Sequence, residues 1–182
     1  MALMHSKGMP LGTAAPRFSL PGVDGETWSL ASFADAELLV VVFTCNHCPY
    51  AMASEDRLIE IQNDYRARGV RLVAINPNDA DAYPADSFEK MKQRAAEKGF
   101  NFPYLRDESQ EVARVYDAAC TPDIFVFDRD RKLIYNGRID DNWQHPDKVT
   151  RKDLRAVLDA ALQGKAVDFQ HVPSMGCSIK WK

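Results

Sequence analysis

Cys45 and Cys48 are separated by two residues, in the run Cys45-Asn46-His47-Cys48-Pro49. Two thiols at that spacing can close a small disulfide, and thiol–disulfide exchange needs two thiols with different tasks. One attacks a substrate disulfide, and the other attacks the mixed disulfide that results. Free N–H groups and the dipole at a helix start stabilise a thiolate. The pattern therefore points to Cys45, near a helix N-terminus, as a nucleophile titrating well below the free-thiol value. Cys48, shielded within the helix, is the resolving thiol. His47 between them supplies a dipole, or a cation below neutral pH, that further stabilises the Cys45 thiolate. The same pair is also half of a zinc site, but zinc takes four ligands. Cys120 and Cys177 stand alone in the sequence, and there is no second C-x-x-C. His5, His145 and His171 have no spacing partner that suggests a metal.

These thiols need a frame. Leu38 to Phe43 is an unbroken apolar, largely β-branched run of strand length, as in a strand buried on both faces of a parallel sheet. The cysteines lie in the turn that follows it. Leu58, Ile61 and Tyr65 then fall on one helical face, and Gly69 ends the helix. Val70 to Ile75 is a second buried strand. Asp86 with Glu89, Asp107 with Gln110, and Thr150 with Asp153 read as the capping pairs of three further helices. Two hairpins complete the pattern, one turning at Asp24-Gly25 and one joining Ile124–Phe127 to Leu133–Asn136. Alternating strands and helices predict an α/β fold with a central sheet covered by helices on both faces. The tail from Lys165 to Lys182 carries no clear period.

Pro122, in Thr121-Pro122-Asp123, immediately precedes the second hairpin. As a trans proline it merely opens a strand. As a cis proline it would bring its backbone beside the cysteine turn, where an extended thiol substrate could pair with it. Cys120, two residues before Pro122, is either a small buried apolar residue or a third thiol that approaches Cys45. Cys177, in the tail, has a structural role or a resolving one. Arg138, in Gly137-Arg138-Ile139-Asp140-Asp141, belongs to a solvated strand end or tunes the thiol pair.

The chain has 182 residues, 46% hydrophobic and 27% charged, which suits one soluble globular domain able to bury a core without disulfide staples. The net charge of −3 gives no basic footprint for nucleic acid or an anionic membrane. Apolar runs fall far short of the roughly 18–20 residues that a membrane span needs. Met1 to Gly12 lacks the apolar core of a signal peptide. The cytosol is the expected compartment, where a cysteine pair is more often catalytic or metal-binding than structural.

With Cys45-x-x-Cys48 and Thr121-Pro122 in that order, the chain resembles the thioredoxin superfamily. Within it, the chain is most similar to the redoxin branch, related to AhpC/TSA and TlpA/ResA-type proteins. Small bacterial thioredoxin family proteins carry Cys45-Asn46-His47-Cys48-Pro49-Tyr50, Asn78-Asp79, Tyr83-Pro84, Ala119-Cys120-Thr121-Pro122-Asp123 and a tail like Pro173 to Trp181. The resemblance implies a thioredoxin-like domain over residues 1–164 with an N-terminal hairpin. Residues 165–182 would be a C-terminal extension packed on or near it. It implies Cys45 as nucleophile, Cys48 as resolving cysteine and Pro122 as a cis proline. Thr44, His47, Cys120, Thr121 and Arg138 are candidates for tuning the pair or touching substrate.

Three departures matter. Thr44 stands where thioredoxin has tryptophan, and Leu38 to Phe43 lacks the buried aspartate of the thioredoxin strand, so the proton acceptor for Cys48 is unassigned. The peroxiredoxin pattern P-x-x-x-T-x-x-C fits neither cysteine. The expected activity is thiol–disulfide exchange on protein or small-molecule disulfides, serving redox homeostasis. An external thiol reductant supplies the electrons, and there is no cofactor. The rival readings are a peroxiredoxin-like peroxide reductase, a metallochaperone using the thiols with a histidine, and a redox sensor.

Overall fold

The structure, a computed structural model, describes residues 3–182. Met1 and Ala2, at the head of the segment read for a leader, lie outside the described residues. In chain order the strands and helices are β1 (Leu3–His5), β2 (Ser19–Pro21), β3 (Thr27–Ser29), β4 (Leu38–Phe43), α1 (Pro49–Tyr65), β5 (Val70–Asn76), α2 (Phe88–Lys98), β6 (Tyr104–Arg106), α3 (Glu111–Val115), β7 (Cys120–Thr121), β8 (Asp123–Phe127), β9 (Leu133–Asn136), α4 (Asp153–Leu162) and β10 (Met175–Ser178).

The central sheet has the order β6-β5-β4-β8-β9. Its β6, β5 and β4 run parallel, and β8 and β9 are antiparallel additions. Successive side chains of a strand point to opposite faces. Leu39, Val41 and Phe43 of β4 therefore enter one core and Leu38, Val40 and Val42 the other. The first core holds Phe18, Leu20 and Phe33 from the front of the chain, with Val112 and Ala113 of α3. The second holds Leu58 and Ile61 of α1, Met91 of α2, and Leu154, Val157 and Leu158 of α4. Helices thus cover both faces, three on one and the short α3 with the β2–β3 hairpin on the other.

Pro49 opens α1 at a position where its missing N–H costs nothing. A 3-10 turn over Arg66–Arg68 and Gly69, at φ 85°, end it. A non-glycine residue would resist that left-handed backbone.

The predicted capping pairs are corrected at α2 and α4 and in part at α3. Ser87, not Asp86, caps α2 by accepting the Lys90 N–H. Gln110 precedes α3 in the left-handed region and makes no side-chain cap. Its amide donates instead to the Pro77 and Lys180 carbonyls, at 2.7 and 2.8 Å. At α4 the residue before the helix is Lys152, while Thr150 bonds Asp141 and Asp153 pairs with Arg138 and Arg151. Asp107 does serve α3, accepting the Ala113 N–H at 2.8 Å, whereas Asp86, Gln110 and Asp153 are held by residues outside their helices.

The tail, patternless in sequence, contains β10, which lies between β1 and β7 in a second, antiparallel sheet. Its register sets Cys177 opposite Thr121 and Ser178 opposite Cys120. Gly176 permits the approach, since a Cβ there would lie 2.0 Å from the Thr121 carbonyl oxygen. Beyond β10, Asn78 accepts the Lys180 N–H at 2.9 Å and Gln110 accepts the Lys182 N–H at 2.9 Å. Among the described residues no helix is long and apolar enough to cross a membrane.

Candidate active site

β4 ends at Phe43, and the Thr44 N–H extends its parallel pairing by donating to the Ile75 carbonyl. The chain then leaves the sheet at its C-terminal edge and turns through Cys45 to Cys48 into α1. Cys48 is the residue that caps α1, with extended backbone (φ −80°, ψ 123°), so it is not within the helix as the spacing suggested. Cys45 stands three residues further back. Both thiols are buried, Cys45 at 2% exposure and Cys48 at 0%.

Thr121 meets both. Its hydroxyl lies 3.3 Å from Cys45 Sγ, and its carbonyl accepts a hydrogen bond from Cys48 Sγ at 3.1 Å. The Thr121–Pro122 peptide bond is cis. Cys177 joins the cluster from β10, packed with Cys45, Cys48 and Ala51. The thiols of Cys177 and Cys48 shift one another's ionisation, Cys177 lowering Cys48 and Cys48 raising Cys177.

The electrostatics correct the expected division of charge. The hydrogen bond from Cys45 lowers Cys48 to about 4, against its burial, with help from Cys177, the Ala51 N–H and Thr121. Cys45 is pushed up, first by that shared hydrogen bond, then by burial and by the nearby Asp86. The reduced pair thus shares one proton between two coupled thiols, with the shift running down at Cys48 and up at Cys45.

Asp86 is the acid that β4 lacks. It arrives from a 3-10 turn over Pro84–Asp86 and is fully buried. Its Oδ1 accepts the Asn46 N–H at 2.7 Å and the Asn76 amide at 3.2 Å. Its Oδ2 accepts the Asn78 amide at 2.8 Å and meets His47 Nδ1 at 2.6 Å. Four donors converging on one side chain suit a carboxylate, which only accepts. With Nδ1–H committed to Asp86, His47 Nε2 is buried and has no hydrogen-bond partner among the described residues. Tyr83 stacks on the imidazole with ring centres 5.3 Å apart. Tyr104 closes the network, donating to Asn46 Oδ1 at 2.9 Å and accepting from Asn76 at 3.1 Å.

Cys45, His47 and Asp86 each offer a ligand atom within 4.8 Å of the others. The donor set does not suit a metal, because Asp86 and His47 Nδ1 are already spent on hydrogen bonds and a closed zinc site needs four ligands.

The structure brings Thr44, Cys45, His47, Cys48, Thr121 and Pro122 together. Two candidates lie at its margin. Cys120 is buried on β7, where burial, Asp123 and the nearby Cys48 and Cys177 push its thiol far up, and its Sγ faces the Pro122 and Ser174 carbonyls. Arg138 pairs with Asp153 at 2.5 Å. It lines a neighbouring cavity of about 250 Å³, walled also by Tyr50, Pro122, Trp143 and Met175. Asp86 is expected only as a helix cap, Asn78 and Tyr83 only as parts of the resemblance, and Asn76 only as a strand end, none of them at the site. The polar cluster Asn76-Pro77-Asn78-Asp79 directly after a buried strand was the available signal. Asp86 was hidden because a helix cap already accounted for it.

Known proteins share this architecture. The Redoxin family model matches residues 10–158. An uncharacterized conserved protein from Geobacillus kaustophilus superposes with a TM-score of 0.96 at 48% identity, covering 100% of this chain and 97% of its own. Peroxiredoxin Bcp from Escherichia coli is 28% identical over 58% of this chain and 62% of its own length, so the chain spans under two thirds of that relative. Thiol-disulfide oxidoreductase ResA from Bacillus thuringiensis is 23% identical over 69% of this chain and 68% of its own. The fold is thioredoxin-like, with its central mixed sheet between layers of helices.

Proposed function

Since this chain belongs to the Redoxin family, we propose that it is a thiol–disulfide oxidoreductase cycling Cys45 and Cys48 between dithiol and disulfide. The observation that carries the reading is the buried, packed pair of Cys45 and Cys48, both hydrogen-bonded to Thr121.

Cys45 gives its proton to the Cys48 thiolate, and the new Cys45 thiolate attacks one sulfur of a substrate disulfide. That S–S bond breaks, releasing one substrate thiolate, which takes the proton back from Cys48. Cys48 then attacks Cys45 Sγ, forming the Cys45–Cys48 bond and expelling the second substrate thiolate. The substrate gains two electrons and the pair loses two. An external thiol donor restores the dithiol, and the reading sets this cycle in the cytosol. His47 serves as a proton carrier: Asp86 fixes its tautomer by holding Nδ1–H, which leaves the buried Nε2 as the acceptor.

The peroxiredoxin relative favours a second reading. In it a Cys45 thiolate attacks a peroxide, becomes a sulfenic acid, and condenses with Cys48 to a disulfide and water. One stopped-flow experiment separates the two. Reduced protein is mixed with oxidised glutathione and, separately, with hydrogen peroxide, and zinc and copper are measured on the same sample. Fast exchange with the disulfide, slow reaction with peroxide and no bound metal are expected. The reverse order of rates would replace the first reading by the second, and stoichiometric metal would replace both.

A further inference from the structure

We propose that Cys177 is a third redox thiol, which takes the disulfide over from Cys45 by exchange at Cys48. The inference rests on the reading of Cys45 and Cys48 as a redox-active pair.

Three observations carry it. First, β10 runs antiparallel to β7 with Cys177 directly opposite Thr121, the residue whose hydroxyl and carbonyl meet Cys45 and Cys48. The tail thus occupies the backbone edge beside Pro122 and turns a cysteine toward the pair. Second, Cys48 packs in one buried cluster with both Cys45 and Cys177, and each of those two thiols shifts its ionisation. Third, the placement is enforced. Gly176 lies too close to the Thr121 carbonyl for any side chain, and the Ser6 N–H, Asn78 and Gln110 hold the tail on both flanks of Cys177. A cysteine merely filling a core needs none of this register.

The step is an isomerisation and needs no further oxidant. In the oxidised pair, Cys177 loses its proton and attacks Cys48 Sγ. The Cys45–Cys48 bond breaks and the Cys48–Cys177 bond forms. Cys45 leaves as a thiolate and takes up the proton that Cys177 gave up. The molecule holds one disulfide before and after. The change is that Cys45 is a thiol again while the tail is covalently tied to the site. Burial raises Cys177 to about 11, so the Cys48–Cys177 exchange runs faster as pH rises toward that value.

The test maps disulfides in the full-length protein. Wild type, Cys45→Ser and Cys48→Ser are oxidised with excess oxidised glutathione, acid-quenched, alkylated, and digested without reductant for mass spectrometry. Wild type is expected to show Cys48–Cys177 beside Cys45–Cys48. Cys45→Ser should close Cys48–Cys177 nearly completely, and Cys48→Ser should leave Cys177 alkylated. If wild type yields only Cys45–Cys48 while Cys177 stays alkylated, the third thiol is overturned and the dithiol reading stands. If wild type forms no internal bond at all, the dithiol reading falls and takes this inference with it. The wild-type map decides the matter even if a serine variant does not fold.

Discussion

Cys48 accepts or donates toward Cys45, Cys177, the Ala51 N–H and the Thr121 carbonyl, so its ionisation is set by neighbours rather than by solvent. Thiolate absorbance should accordingly appear in acid, with a midpoint near pH 4. Cys48→Ala should abolish it, and Cys45→Ala should move it upward, because the principal donor is gone. A wild-type titration beginning only at the free-thiol value would refute this assignment. Asp86 sits at the other end of the pair. Asp86→Asn removes the negative charge that holds Cys45 up, so Cys45 should ionise at lower pH. The same change turns an acceptor of four bonds into a group that also donates, at a cost of about 1–3 kcal/mol, readable in urea unfolding.

At the scale of elements, what sequence made legible was periodicity. β4 reads as a doubly buried strand because all six residues are apolar, and its place before Cys45 follows from that alone. The three-residue β6, the two-residue β7 and β10 with its glycine are too short or too mixed to show a period. The capping pairs failed for a related reason: Asp86, Gln110 and Asp153 are each engaged by residues remote in sequence, and spacing cannot see such partners. Thus the two cysteines and Pro122 are readable as a motif and Cys177 as an open candidate, whereas the acid beside them is not. Two predictions belong here. Gly176→Ala drives a Cβ into the Thr121 backbone, so β10 must withdraw, with a loss of about 1–3 kcal/mol and faster maleimide labelling of Cys177. Asp123, next to Pro122, is raised to about 6 by burial despite the Ala119 N–H and Asn136 amide. A carboxyl raised on folding contributes its stability fully below its unfolded pKa, and that contribution is lost as pH rises through about 6. Between pH 4 and 7 wild type should therefore lose melting temperature, and Asp123→Asn should flatten that slope.

For the whole molecule, the tail is a wall of the site as much as an extension of the domain. It pairs with β7, engages Asn78 and Gln110, and covers two thiols that are almost wholly buried. Deleting residues 174–182 should raise the rate at which Cys45 reacts with Ellman's reagent by at least ~10-fold, since opening then costs little. An unchanged rate would mean that reagents reach Cys45 by a path the tail does not guard. The edge strand next to Pro122 also bears on which substrates win. A strand tethered to the same chain competes at an effective concentration on the order of millimolar. An extended peptide at micromolar concentration must overcome that handicap in contacts of its own before its disulfide can meet Cys45. Weakly held chains are therefore turned away by concentration arithmetic alone, and the molecule favours partners that bring a second foothold or that are small enough to bypass the strand.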